Sequence, residues 1–442
     1  MREEPVEQSG DADLARLTLR RLLWLYFVLL IFEGALRKWL VPSLSSPLLL
    51  IRDPVVIALY WVAMRDGLFP MNGFVKSLMM LACLFFIAGL VATITAEKGN
   101  LLVPIYGLRA NFLHLPLIFL IPVIVDRAEL DKFGKWMLII AIPMAVIMVL
   151  QFKAGPNDWL NAAAGEGHQI DSADGKIRPA GTFSFVTGVV SFLSMTTSYL
   201  LYGLVEEGKY SIFLLASSGM ALATSLAVSG SRSAVYTCAI VGGMLAICML
   251  TNSRLLMRAY RPVALIVIVL AVASSTEFFS EGLTTTTHRF SAANANESIV
   301  LRMVNTVLAP FEIIADVPLI GYGLGVGTNA GSFMVSGKIS FLLAEGEWSR
   351  VVLESGPILG LIYLGLRMTL ACILGWRSLL AAKAGDSGPL LLYGACMVPL
   401  INGQFGQTTI LGFTVFTAGL CLAGTEQFSY SSEPELEAVL TV

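Results

Sequence analysis

Apolar residues in this chain come in long unbroken blocks, neither alternating with polar ones nor confined to one helical stripe. A block must reach about 20 residues to cross a hydrocarbon core as a helix. Blocks near that length are read at Leu22–Val41, Leu48–Met64, Leu78–Thr95, Leu102–Val125, Phe133–Phe152, Thr182–Leu204, Ser211–Val228, Ala234–Leu250, Pro262–Thr276, Trp348–Leu374, Pro389–Gln404 and Thr408–Gly424. The pattern predicts an all-α, polytopic transmembrane helix bundle of about 12 spans, each satisfying its own backbone polar groups as lipid demands. Residues 1–21 form an N-terminal arm, 22–424 the transmembrane domain, and 425–442 an acidic tail expected to be disordered. No small-residue cleavage site follows the first apolar block, so it is read as a retained helix.

Polar segments between the blocks set the orientation. The N-terminal arm and the linkers Arg65–Lys76, Asp126–Lys135, Glu206–Lys209, Asn252–Arg261 and Trp376–Asp386 hold about half of the 29 Lys and Arg residues. The positive-inside rule makes that side cytoplasmic, together with both termini. Two longer segments, about 153–180 and 280–347, then lie outside. Within the second, Val300, Val304, Val307, Leu308, Phe311 and Ile314 recur at steps of three and four, which predicts an interfacial helix over Ser298–Asp316.

Composition sharpens this picture. Of 442 residues, 56% are apolar and 14% charged, outside the range of a soluble domain. A formal charge of −2 supplies no basic surface for nucleic acid. Cys83, Cys238, Cys248, Cys372, Cys396 and Cys421 all fall inside apolar runs without ligand-like spacing, so neither disulfides nor zinc are expected. Three histidines make a His-rich metal site improbable, and no cofactor is implied. His114 sits in an apolar run and reads as a satisfied core residue; His168 reads as solvated, and His288 as a lesser acid–base candidate.

An arginine within a span costs about 2.5–3.5 kcal/mol even on the lenient insertion scale, so each one needs a partner or a ligand. Arg109, Arg178 and Arg232 lie at the outer ends of expected spans beside Gly, Ser, Asn or Thr, and Arg289 and Arg302 lie in the long outer segment. Any one alone can be a snorkelling anchor. Together they suit an anionic, lipid-linked ligand, because guanidinium forks bind phosphate oxygens bidentately. Glu347, Arg350 and Glu354 recur along one helix face; an ion pair between Arg350 and Glu354 is the structural reading. Glu345 and Glu347, at the membrane boundary, are candidate bases for a sugar hydroxyl. The run Pro318–Thr328 carries glycines at alternate positions, yet no strand precedes it and no lysine follows it; it reads as a flexible external hinge, with contact of its amides to substrate as the lesser reading.

Three stretches carry a family resemblance: Arg178-Pro-Ala-Gly-Thr-Phe entering a span, Ser229-Gly-Ser-Arg-Ser-Ala234 at an outer turn, and Pro318–Gly325 followed by Glu347 and Leu353-Glu-Ser-Gly-Pro-Ile-Leu-Gly360. In this order the chain resembles the O-antigen polymerase and O-antigen ligase superfamily of bacterial envelope glycosyltransferases. The resemblance implies metal-independent transfer of glycan from an undecaprenyl-diphosphate carrier to a sugar hydroxyl, at the outer face of the bacterial inner membrane. It implies Arg178 and Arg232 as diphosphate ligands, with Arg109, Arg289 and Arg302 added by location. Membrane lipids, a chain-length regulator and a flippase are the implied partners. Ligases carry a histidine just before the tenth-span motif, where this chain has Ala-Glu-Gly-Glu-Trp, which favours a polymerase for exopolysaccharide or O-antigen-like glycan. A ligase, a transporter of a small anion or lipid-linked sugar, and a structural scaffold are the other readings.

Overall fold

A computed structural model describes residues 6–96, 99–164, 177–258, 260–274, 308–337 and 342–440, with isolated positions between 280 and 287. Side chains are described between 14 and 426. The architecture is all-α, with no sheet among the described residues. In chain order the helices are α1 (Val6–Ala35), α2 (Ser45–Leu48), α3 (Asp53–Arg65), α4 (Gly73–Thr95), α5 (Leu102–Leu108), α6 (Leu117–Ile124), α7 (Arg127–Lys153), α8 (Val186–Val205), α9 (Ile212–Ser229), α10 (Arg232–Thr251), α11 (Ser253–Met257) and α12 (Tyr260–Ala273). There follow α13 (Asn329–Ser336), α14 (Glu347–Lys383), α15 (Gly388–Asn402) and α16 (Thr408–Leu440).

Among the described residues, eight helices are long and apolar enough to cross a membrane, or nine if the bent pair Leu102–Leu113 and Leu117–Ile124 makes one span. That is fewer than the expected twelve, for three physical reasons. The apolar run of α1 follows Arg20 and Arg21, is interrupted by Glu33, and gives way at Leu36–Leu40 to a π-helical turn. The described part of α12 has 14 residues and α15 has 15. Of the expected interfacial helix, positions 308–313 are helical and the part before 308 lies outside the described residues. The last helix continues to Leu440, past the apolar segment that ends at Glu426.

Local chemistry explains where helices start. Asn72 accepts from Val75 N at 2.9 Å to cap α4, Asp126 accepts from Glu129 N at 2.8 Å to cap α7, and Ser211 accepts from Leu214 N at 3.3 Å to cap α9. Burial ranks the helices by depth. The apolar windows of α8 and α16 are 89% buried, so these two form the centre, while that of α10 is 22% buried and lies at the periphery. Large apolar side chains such as Trp61, Ile94 and Leu250 stay exposed, as a lipid-facing surface permits.

Of the linkers expected on one side, all but Arg65–Lys76 are tied together at one end of the bundle. Arg20 pairs with Asp126 at 2.5 Å, Lys209 with Asp131 at 2.6 Å, and Arg127 with Asp386, while Asn252 Nδ2 donates to Lys383 O at 3.2 Å. This ion-paired end ties together the loops before α7, after α8, after α10 and after α14. The opposite end holds the α1–α3 turn, the 177–185 segment, the α9–α10 turn and the 403–407 turn.

Candidate functional site

The opposite end is built on buried charge. Glu347, Arg350 and Glu354 do share one face of α14: Arg350 Nε donates to Glu347 Oε2 at 2.9 Å, Nη1 to Glu354 Oε2 at 2.7 Å, and Nη2 to Glu347 Oε1 and to Asn111 Oδ1, both at 3.0 Å. The ion pair between Arg350 and Glu354 read from the spacing is therefore present. A fourth charge was not singled out in the sequence. Arg367, fully buried and a little over halfway along the same helix, donates to Glu347 Oε1 at 2.8 Å and to the carbonyls of Leu400 (2.9 Å), Gly403 (3.0 Å) and Pro399 (3.2 Å). At the end of α15 the carbonyls of Leu400 and Gly403 are left for the guanidinium, which also shares Pro399 O with its helical donor, Gly403 N at 2.7 Å. The Arg367 guanidinium also lies 3.8 Å from the Phe405 ring centroid. The one available signal was a lone arginine in an otherwise apolar block.

Glu347 is thus enclosed. Its Oε1 accepts from Arg350, Arg367 and the Phe405 amide at 3.3 Å, its Oε2 accepts from Arg350, and the residue is 1% exposed. Glu345 lies two residues earlier and is exposed, with its backbone carbonyl held by Gln404 Nε2 at 2.6 Å.

The glycine run beside this cluster is docked into the bundle, which corrects its reading as a flexible hinge. At Gly356, φ is +80° and Pro357 follows, so α14 kinks and frees the carbonyls of Leu353 and Glu354. Tyr322 N and Gly323 N fill them at 2.7 and 3.2 Å, and Gly327 N donates to Glu354 Oε1 at 2.9 Å. Close approach requires glycine here: a Cβ on Gly356 would lie 2.0 Å from Leu319 O, and one on Gly325 (φ +90°) 2.5 Å from Val103 O. The amides of Tyr322, Gly323 and Gly327 are committed to the protein itself.

A second charged cluster joins α1, α3 and the bent α5–α6 pair. Arg52 donates to Glu33 Oε2 at 2.9 Å and to Thr408 O at 2.6 Å. Arg109 grips Asp53 bidentately at 2.6 and 2.8 Å from the π-helical turn Arg109–Leu113. His114 bridges Asp53 (Nε2, 3.0 Å) and the Tyr26 hydroxyl (Nδ1, 3.1 Å), the satisfied core environment expected of it. Arg52 Nη1, Arg109 Nη1 and Glu33 Oε1 are buried with no hydrogen-bond partner among the described residues. Among Glu33, Arg37, Arg52, Asp53 and Arg109, the guanidiniums outnumber the carboxylates.

The 177–185 segment seals this cluster. Thr182 Oγ1 donates to Ile31 O at 2.7 Å, Lys38 Nζ to Gly181 O at 2.7 Å, and Arg37 Nη1 to Ser184 Oγ at 2.9 Å. Arg178 is half-buried on that segment. Arg232, also half-buried, follows the left-handed turn at Gly230 (φ +55°) and has no ion-pair partner among the described residues. A cleft of about 20 Å³, roughly one water across, is lined by Gly327, Thr328, Glu345, Arg350, Gln404 and Gln407. Thr187 Oγ1, on the first turn of α8, donates to Gln407 Oε1 at 3.0 Å and links the cleft to the chain that carries Arg178. Arg289 and Arg302 lie outside the described residues. No group of three or more His, Cys, Asp or Glu among the described residues could hold a metal ion.

No protein-family model matches this chain, and no curated protein matches it.

Proposed function

We propose that this multi-spanning membrane protein is a glycosyltransferase that polymerises oligosaccharide units carried on undecaprenyl diphosphate, at the end of the bundle opposite the ion-paired linkers. The observation that carries the reading is an exposed carboxylate, Glu345, lining a cleft with Gln404 and Gln407 beside the buried Arg350, at the end where Arg178 and Arg232 also lie. Attack of an acceptor hydroxyl on the anomeric carbon forms the new C–O bond while the bond to the diphosphate breaks. The electron pair leaves on the diphosphate, and the hydroxyl proton passes to Glu345. Negative charge gathers on the leaving group, and fixed guanidiniums in a poorly hydrated site stabilise it.

In this reading Arg178 and Arg232 hold the diphosphate, with Arg289 and Arg302 as further ligands from the long segment. Glu347 and Arg109, each saturated by buried partners, serve as anchors: Glu347 fixes Arg350, and Asp53 fixes Arg109. The test is incubation of the purified protein in lipid nanodiscs with undecaprenyl-diphosphate oligosaccharide, followed by sizing of products. A ladder supports a polymerase and a single addition to acceptor supports a ligase. Glu345→Gln is expected to cut turnover by roughly 10²-fold or more, the low end of what a positioned general base contributes. Unchanged turnover in that variant removes Glu345 from the chemistry.

One observation favours a transporter as the second reading. The span Leu102–Ile124 is broken with a 41° bend; His114, in the break, and Arg109, in the turn before it, both bond to Asp53. Broken helices bearing ionisable groups mark substrate sites in secondary transporters. Uptake of labelled carrier or anion into proteoliposomes, with no product ladder, would select this reading.

A further inference from the structure

The ion-paired end carries two adjoining hollows that the transfer reading does not use. One, of about 410 Å³, lies between α8, α9 and α12; Glu207, Tyr210, Tyr260 and Arg261 line its polar part, and Leu265 and Ile268 line it further along α12. At 1.5 Å per residue, the step from Arg261 to Ile268 descends about 10 Å. The wall therefore passes from charged to apolar over the depth at which a lipid passes from headgroup to acyl chain. The second hollow, of about 420 Å³, is polar and is lined by Glu206, Asn252, Arg254 and Arg258 with Gly385. Glu206 lines the second hollow and the next residue, Glu207, the first.

Charge and exposure at this rim point the same way. Arg254 is exposed and has no ion-pair partner among the described residues. Arg258 reaches Glu206 Oε2 only at 3.4 Å, and Arg261 pairs with Glu207 at 2.6 Å. Of the other acids nearby, Asp386 is engaged by Arg127 and Asp131 by Lys209. Three guanidiniums thus face two carboxylates. On the short helix α11, Leu255 is buried while Leu256 and Met257 are 53% and 73% exposed, and Phe213, next to the lining residue Ile212 of the first hollow, is 84% exposed. Apolar side chains projecting beside a basic rim are the signature of a segment lying in a membrane interface.

We propose that this paired hollow binds one anionic glycerophospholipid of the adjoining leaflet, its phosphate on Arg254 and Arg258 and an acyl chain between α9 and α12. Guanidinium forks match phosphate oxygens, and the apolar compartment beneath them gives a water-soluble anion nothing to fill it. The site lies at the far end of the bundle from the transfer chemistry, and its test is independent of that reading.

The probe is phosphatidylglycerol added to the delipidated full-length protein in detergent, with bound lipid counted by native mass spectrometry against phosphatidylcholine and glycerol phosphate. The expected result is one retained phosphatidylglycerol, at least tenfold preferred over phosphatidylcholine, and no displacement by glycerol phosphate at equal concentration. Arg254→Gln with Arg258→Gln should weaken retention about tenfold or more. Ala264→Trp, at an exposed position lining the apolar hollow, should do so while leaving every cation in place. Equal retention of both lipids, unchanged retention in either variant, or displacement by glycerol phosphate alone would overturn the proposal.

Discussion

At the residue scale, the molecule separates buried charges that hold the fold from exposed ones available for chemistry. Arg367, Glu347, Arg350 and Glu354 are each no more than 4% exposed, and every one has a charged partner. Removing one member of such a set leaves an uncompensated ion, which costs about 3–5 kcal/mol. Arg367→Met is therefore expected to lower the thermal midpoint in detergent sharply or abolish accumulation, whereas Arg232→Ala should leave that midpoint within about a degree, as surface-type changes do. A wild-type-like midpoint for Arg367→Met would contradict the ledger of partners. Glu206, in the loop after α8, offers a pH-dependent counterpart. Burial, and then the neighbouring Asp386 carboxylate, push its carboxyl above the usual range. Its folded form takes up a proton at higher pH than its unfolded form, so stability is lost as pH rises through that interval. Glu206→Gln should melt higher than wild type at about pH 7.5, with the gap closing toward about pH 4. A gap independent of pH would show that Glu206 is not the titrating group.

At the element scale, the glycine run, the kink at Gly356 and the start of α14 act as one unit. Gly325→Ala combines a strained backbone (φ +90°) with a Cβ 2.5 Å from Val103 O, so it should undock the run and expose the 318–337 segment to limited proteolysis, while Gly337→Ala, which carries the backbone strain alone (φ +71°) with open space around its Cβ position, should not. Equal protease resistance in both variants would refute that assignment. Block hydrophobicity made most of the helices legible in advance, because one long apolar run implies one helix in lipid. It could not show that α1 ends in a π turn at Leu36, since the apolar run continues through Trp39-Leu40 and only packing of Arg37 and Lys38 beneath Ser184 and Gly181 reveals the break. Nor could it show docking of the glycine run, which depends on carbonyls freed by a kink some thirty residues away. The face of Glu347, Arg350 and Glu354 was legible from its spacing. The partners of Arg109 and Glu347, namely Asp53 and Arg367, were not, because hydrogen bonds across 56 and 20 residues leave no local pattern.

At the scale of the whole molecule, the bundle has an ion-paired end and an end carrying the candidate chemistry. Ion pairs among the linkers fasten α7, α8, α10 and α14 at one end, and a core centred on α8 and α16 joins it to the other, where buried guanidiniums exceed carboxylates in the α1–α3–α5 cluster. That asymmetry is what a carrier with a charged headgroup and a lipid tail would require of its protein. The proposed function requires that guanidiniums at this end grip a lipid-linked diphosphate. The most direct measurement is the affinity of undecaprenyl diphosphate for the protein in nanodiscs, compared between wild type and Arg232→Ala with the melting point recorded alongside. A charge-assisted contact is worth about 1.5–3 kcal/mol, so binding should weaken roughly tenfold or more at an unchanged melting point. Equal affinity in the two proteins would contradict the claim.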